Sequence, residues 1–313
     1  FGDLPTQIYI NGVLQNTVKR QYTLEEDTNN ITMIWDYLIE SCSEMFSGLS
    51  SIIEIDLSNF DSSRVTETSD MFDSCESLTS INFKNFKTEL VTDMNGMFAN
   101  CGSLESLDLS SFVTSKVTEM SSMFESCGSL TSLDLRNFET SEVEDMSDMF
   151  NDCTSLSYLN LNSFNTSKVT SMDQMFAYCE SLTSLNLNSF DTKLIKDMSQ
   201  MFLNCGSLKF LNIDNFDTSS VITMNSMFFG CGSLVSLNLK NFDTSKLEDT
   251  STMFKDCSTL KLLDLSSFVT TSLKNMWSMF SGCASLISVD MSNFDISSVT
   301  NMDYLFYDCV SLI

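Results

Sequence analysis

Ten cysteines (Cys75, Cys101, Cys127, Cys153, Cys179, Cys205, Cys231, Cys257, Cys283 and Cys309) recur at a fixed interval of 26 residues. Thiols can ligate soft metals, exchange disulfides or attack electrophiles. Metal sites need clustered ligands, such as cysteine pairs or cysteine with histidine; here each interval supplies one Cys and the chain has no histidine. Disulfides between neighbouring intervals are conceivable, because parallel strands lie about 4.8 Å apart, inside the usual Cα range for a bridge. They would have to alternate along identical units and twist parallel side chains together. A ladder of buried thiols acting as small apolar groups is the simpler expectation.

Two acidic columns keep the same interval. One runs Asp56, Asn82, Asp108, Asp134, Asn160, Asn186, Asn212, Asn238, Asp264 and Asp290; the other holds Glu67, Asp93, Glu119, Asp145, Asp197 and Asp249. Calcium could bridge such files, although no D-x-D-x-D-G loop is present, and no other cofactor is implied. General acid–base chemistry would lack its commonest group, histidine. There is no phosphate-binding loop and no nucleophile elbow. Unbroken periodicity also leaves no irregular, concave place where catalytic groups converge. The expectation is a protein that is not an enzyme.

Charge narrows the partners. Lys plus Arg number 16 against 42 Asp plus Glu, a formal net charge of -26. A nucleic-acid backbone needs a basic stripe, and an anionic membrane surface needs the same. Both are disfavoured. No apolar run reaches the length of a membrane helix, so direct membrane insertion of this segment is not expected.

The columns demand a repeating scaffold. A Phe, preceded by Met in nearly every unit, recurs at 46, 72, 98, 124, 150, 176, 202, 228, 254, 280 and 306, and a second Phe column runs from Phe60 to Phe294 at the same step. Within residues 101–127, Leu107 and Leu109 alternate with Ser106, Asp108 and Ser110, the period of a half-buried strand. Val117, Met120, Met123, Phe124 and Cys127 then fall at steps of 3, 3, 1 and 3, which predicts a short helical turn. Thr114 or Ser115 would cap that turn, and the second acidic file would sit near its positive end. One strand and one turn cannot bury their apolar faces alone, so the coils must stack.

The predicted fold is an α/β solenoid: a right-handed, leucine-rich-repeat-like stack of about ten 26-residue coils. A parallel β-sheet would form one face and short helical turns the other. Residues 1–26 break the pattern and read as a cap with a hairpin turn at Asn11-Gly12; residues 27–52 make a degenerate first coil; residues 53–313 carry the regular repeats. The last coil is incomplete at Ser311-Leu312-Ile313, so the parent protein is expected to continue past Ile313; the start at Phe1 rather than Met fits either a processed form or part of something longer.

The consensus C-x-S-L-x-x-L-x-L-x-x-F-x-T-S-x-V-x-x-M-x-x-M-F-x-x-C, seen for instance in residues 123–146, MFESCGSLTSLDLRNFETSEVEDM, resembles the 26-residue repeats of BspA-like leucine-rich-repeat surface proteins of bacteria and protists. Departures are few: Leu49 for Cys, Thr68 and Thr250 for Met, Leu305 for the Met of Met-Phe. The resemblance implies a secreted or surface-displayed protein with roles in adhesion and interaction, and it brings no catalytic residues.

Strand alternation places the Asp/Asn file on the exposed sheet face, flanked by variable residues such as Ser110, Asn162, Asn188 and Lys240. That face is either a solubilising surface with amide laddering or a binding surface for a protein, glycan or cation. A column of Thr at 88, 114, 140, 166, 192, 218, 244 and 270 raises a remote option of water-organising ice binding, weakened by an irregular partner column. Asn30 and Asn165 stand in N-glycosylation sequons. The expected function is an extracellular adhesion or interaction scaffold; the alternative is a spacer, coat or filament subunit that self-associates through its ends or faces.

Overall fold

The computed structural model describes residues 4–19, 22, 24, 26 and 28–313. Near the N-terminus, β1 (Gln7–Ile10) and β2 (Val13–Leu14) pair antiparallel across Asn11-Gly12. Both turn residues have positive φ, 50° and 79°, as a tight two-residue hairpin requires. β3 (Ile31–Ile34) pairs antiparallel with β1, Gln7 opposite Ile34. Ile31 and Ile34, one 26-residue step before Leu57 and Phe60, are exposed, and Met33 and Trp35 pack on the core.

From residue 40 onward the chain is a solenoid of 26-residue coils. Equivalent strands pair in parallel and in register: β4 (Glu54–Asp56) with β5 (Ser80–Asn82), and β6 (Ser132–Leu133) with β7 (Tyr158–Leu159). β8 (Ser184–Asn186) pairs with β9 (Phe210–Asn212), and β10 (Leu262–Asp264) with β11 (Ser288–Asp290). The expected continuous sheet is therefore a row of two-stranded pairs. A second parallel ladder, made of single bridges, links Ser41 to Glu67 and runs on through Asp93, Glu119 and Asp145 to Ser171. It resumes from Asp197 to Asn301.

The helical turns are a correction: the described residues contain no helix. After the second ladder each coil makes consecutive tight turns, closed by bonds such as Met71 N–H to Thr68 C=O (3.2 Å) and Cys75 N–H to Phe72 C=O (3.1 Å). Intervening N–H groups bond across to the next coil: Asp70 to Asn95, Phe72 to Met97 and Ser74 to Ala99, at 2.8–3.0 Å. The third residue of both these turns has positive φ, 53° at Asp70 and 58° at Ser74, as a type II turn requires. Apolar steps of 3, 3, 1 and 3 suit either geometry. The neighbouring coil decides, because its carbonyls take the N–H groups that a helix would bond four residues back.

The core is a set of stacked columns. Phe98, Phe124 and Phe150 lie face to face at 5.7 Å with planes within 7° of parallel, and the stack runs from Phe46 to Phe306. Beside it runs the thiol ladder. Each Cys Sγ donates to the carbonyl of a Phe 29 residues earlier, for example Cys101 to Phe72 and Cys127 to Phe98, both 3.2 Å. Phe72 C=O thus accepts both the Cys75 N–H and the Cys101 thiol.

The described cysteines are free thiols, and all but Cys309 are buried. Burial pushes Cys75 up to about 11 and Cys153, Cys205 and Cys283 to about 12 from an ordinary 9.0. Protonated, enclosed thiols are poor nucleophiles. Native protein should react with a thiol reagent first at Cys309, while the inner thiols label only after denaturation. Because their folded pKa values exceed the unfolded one, the stabilisation they contribute is complete below pH 9. It should be lost as pH rises toward 12, read as a falling Tm. Flat stability from pH 8 to 11 would contradict the ladder.

The threonine column is also internal. Thr88, Thr114, Thr140, Thr166, Thr192, Thr218, Thr244 and Thr270 are each 0–3% exposed. The Thr166 hydroxyl donates to Asp191 C=O (2.9 Å) and accepts from Asp191 N–H (2.7 Å), and Thr114 and Thr140 repeat the pattern. These residues are rungs between coils. They neither cap a helix nor present hydroxyls to water, which removes the ice-binding option.

Candidate functional site

The expected Asp/Asn file lies along one outer side of the solenoid. Asp56, Asn82, Asp108, Asp134, Asn186, Asn238, Asp264 and Asp290 are exposed, whereas Asn160 and Asn212 are half-buried. The structure gives the column a local job. In every coil the Asx oxygen accepts the N–H two residues on: Ser58 to Asp56 at 2.8 Å, Ser110 to Asp108 at 3.0 Å, Asn188 to Asn186 at 3.2 Å and Asp214 to Asn212 at 3.3 Å. This Asx turn ends the strand and steers the chain toward the second ladder. Asp and Asn both place an oxygen there, and the column holds one or the other in every coil.

Charge follows the same geometry. The hydroxyl and then the N–H of the following serine hold Asp108, Asp264 and Asp290 below the usual carboxylate range. The Arg136 guanidinium and then its N–H bring Asp134 to about 2; this ion pair, at 2.7 Å, is well exposed. Amide laddering is partial. Asn82 Nδ2 reaches Asp56 (3.0 Å), Asn186 reaches Asn162 (3.4 Å) and Asn238 reaches Asp214 (2.8 Å).

The second acidic file does not sit at helix starts; it forms rungs of the bridge ladder. Asp93, Asp145, Asp197 and Asp249 accept N–H groups from Asn95, Ser147, Ser199 and Ser251 at 2.7–2.9 Å. Desolvation, followed by the neighbouring Asp145, raises Glu119. Among the described residues no three acidic or cysteine side chains converge on a point that could hold a metal ion. The sequon residues Asn30 and Asn165 are both exposed, with Asn165 Oδ1 accepting the Ser167 N–H at 3.0 Å.

One feature of this side lies outside the persistent columns. Two residues before the Asx column, and on the same side of the strand, stands a position held by serine at 80, 106, 132, 184, 236 and 288. It becomes Tyr158, Phe210 and Leu262 in alternate coils, and these side chains are 62%, 69% and 63% exposed. Their signal in the sequence is a break in the serine column, because an apolar residue at an outward strand position has no core to serve.

No described helix is long and apolar enough to cross a membrane. No curated protein sequence matches the chain. In fold it is similar to a leucine-rich repeat protein from Bacteroides ovatus, at 20% identity and a TM-score of 0.55, covering 100% of this chain and 82% of that one. A leucine-rich cell surface protein from Faecalibacterium prausnitzii matches at 18% identity and a TM-score of 0.39, over 87% of this chain and 86% of that one. The first of these establishes the leucine-rich-repeat-like solenoid that the repeat implied. The family described as "Mycoplasma protein of unknown function, DUF285" matches residues 40–157, 127–210 and 204–312, and with nearly the whole solenoid covered the chain belongs to that family.

Proposed function

We propose that this chain is a non-catalytic interaction module of a cell-surface or secreted protein, with adhesion as its task and the strand side bearing the Asp/Asn file as its contact surface. The observation that carries this reading is the exposure of Tyr158, Phe210 and Leu262 there, amid serine and asparagine. A surface that served solubility alone would carry serine at those positions as well, and large exposed apolar groups mark contact sites. The mixture of aromatic, Ser and Asn side chains also resembles the composition of antibody paratopes, in which rigid rings supply area and small polar groups supply adaptable hydrogen bonds. Sequon occupancy at Asn30 or Asn165 would accord with export and would add glycan mass in an intact-mass measurement.

The Asx turns change which substitutions make a clean test. Asp108→Lys or Asn186→Lys would also open a turn, so Ser110→Lys and Asn188→Lys are better choices. Their side chains point outward beside the file, and their N–H groups remain bonded. Beads carrying the protein should be retained on immobilised extracellular-matrix proteins or mucins. The double variant should release them with Tm unchanged. Undiminished retention by that variant would remove the strand side from consideration. Polymers that grow with concentration in light scattering, without retention on any surface, would favour the spacer or filament reading instead.

A further inference from the structure

The position two residues before the Asx file has an apolar period of its own. Tyr158, Phe210 and Leu262 are each two coils apart, with Ser184 and Ser236 between them. Parallel strands are spaced about 4.8 Å, so the platforms recur at about 10 Å along the solenoid axis. The in-register pairing of Ser132 with Tyr158, Ser184 with Phe210 and Leu262 with Ser288 keeps them pointing the same way.

The amides share this two-coil period. Asn186 and Asn238, in the serine coils, spend their Nδ2 groups on Asn162 and Asp214. Asn160 and Asn212, two residues beyond Tyr158 and Phe210 on the same side, use only Oδ1, accepting the N–H of Asn162 and Asp214. Their Nδ2 donors meet no acceptor among the described residues. Each exposed ring is thus paired with a spare amide donor. Beside Phe210 lies a shallow, open depression lined by Ser184, Asn186, Lys209, Leu211, Asn212 and Ser236.

Charge supplies the third observation. From Ser157 to Ser292 the outward strand-side positions carry three lysines (209, 240, 261) and three aspartates (214, 264, 290), in a chain of net charge -26. These strand-side positions balance to neutrality, whereas the chain as a whole is strongly acidic. A cationic partner would prefer the acidic surroundings, and an anionic one would be repelled by them.

We propose that Tyr158, Phe210 and Leu262 are platforms for a neutral, linear β-linked glycan lying along the solenoid axis. In such a chain alternate rings turn over, so the same apolar ring face returns once per disaccharide, a length close to two strand spacings. The C–H face of every second sugar stacks on the Tyr158 or Phe210 ring or packs against the aliphatic Leu262. Asn160 and Asn212 donate to the hydroxyls beside the first two. This deepens the adhesion proposal and rests on it, since it takes the strand side as the contact surface. A partner helix is the less suitable occupant, because Tyr158, Phe210 and Leu262 lie two coils apart with Ser184 and Ser236 between them, and the exposed Val235 and Ile287 stand in the neighbouring column with Lys209 and Lys261.

The test uses cello- and chito-oligosaccharides from disaccharide to hexasaccharide, titrated against the whole chain by calorimetry. Affinity should climb with length as successive platforms engage, and Tyr158→Ser with Phe210→Ser should weaken the hexasaccharide about tenfold or more. Both substitutions install the residue that intervening coils already carry, so the fold is kept, and an unchanged Tm verifies it. Absence of binding by any of these neutral oligosaccharides would overturn the glycan. Retention on an immobilised protein that fell in the same double variant would then assign the platforms to a protein and leave the strand side as the contact surface. Oligosaccharide binding that survived Tyr158→Ser with Phe210→Ser would overturn the platforms. Its loss in Ser110→Lys with Asn188→Lys would still keep the surface.

Discussion

Phe176→Ala should lower the free energy of unfolding by about 3–5 kcal/mol, the cost of deleting a fully buried aromatic side chain. Phe176 has no exposed surface and lies face to face with Phe150 and Phe202, both at 5.7 Å. Truncation therefore removes two ring contacts and leaves a void between coils that cannot close, since the backbones on either side are tied by bonds such as Phe176 N–H to Met201 C=O at 3.0 Å. Phe306 is 36% exposed and stacks on one described ring, Phe280. Phe306→Ala should cost less than half as much. Urea unfolding of both variants gives the comparison. Equal costs would mean that the stack is not the organising element of the core.

Thr166→Val should destabilise by about 1–3 kcal/mol, although it preserves shape and adds apolar surface. Its hydroxyl serves both backbone groups of Asp191, donating at 2.9 Å and accepting at 2.7 Å. Valine leaves that N–H and that C=O without a partner at a site where Thr166 is 1% exposed. Because such rungs are the joints between coils, the loss should be local. Hydrogen exchange at Asp191 should accelerate while amides two coils away keep their protection. A neutral substitution would mean that water replaces the hydroxyl. Thr166→Ser, which keeps the donor and acceptor, should recover much of the loss.

These effects bear on function because the outer surface inherits its order from the inner columns. Tyr158, Phe210 and Leu262 share one direction only while their strands stay in register, and the Phe, Cys and Thr columns are what forbid slippage. A core variant that loosened two adjacent coils would blur the contact surface without touching it.

Much of this is legible in residue types alone. The 26-residue step by itself implies the stacked Phe and Cys columns, and strand alternation places the Asp/Asn file outside. The file's turn-forming role is less accessible. Its Asp/Asn restriction signals an acceptor, but the N–H it accepts belongs to a bend that periodicity does not describe. The Thr column misleads for a related reason. A hydroxyl residue near the start of an apolar run reads as a cap, whereas here it bonds to a backbone 25 residues away. Tyr158, Phe210 and Leu262 are hidden because periodicity singles out the columns that persist, and their information lies in breaking one.

Coil length, the inward-facing columns and the uniform register are already written in the residue order, because each follows from side chains repeating at a fixed step. Where the backbone hydrogen bonds go is settled by the stacking of one coil on the next. An isolated Met-Phe segment has its own carbonyl four residues back as the nearest acceptor for its N–H groups. In the stack, the next coil offers carbonyls at 2.8–3.0 Å, and tight turns with an inter-coil ladder replace the helix. That choice depends on a neighbour which exists only once the chain has wound.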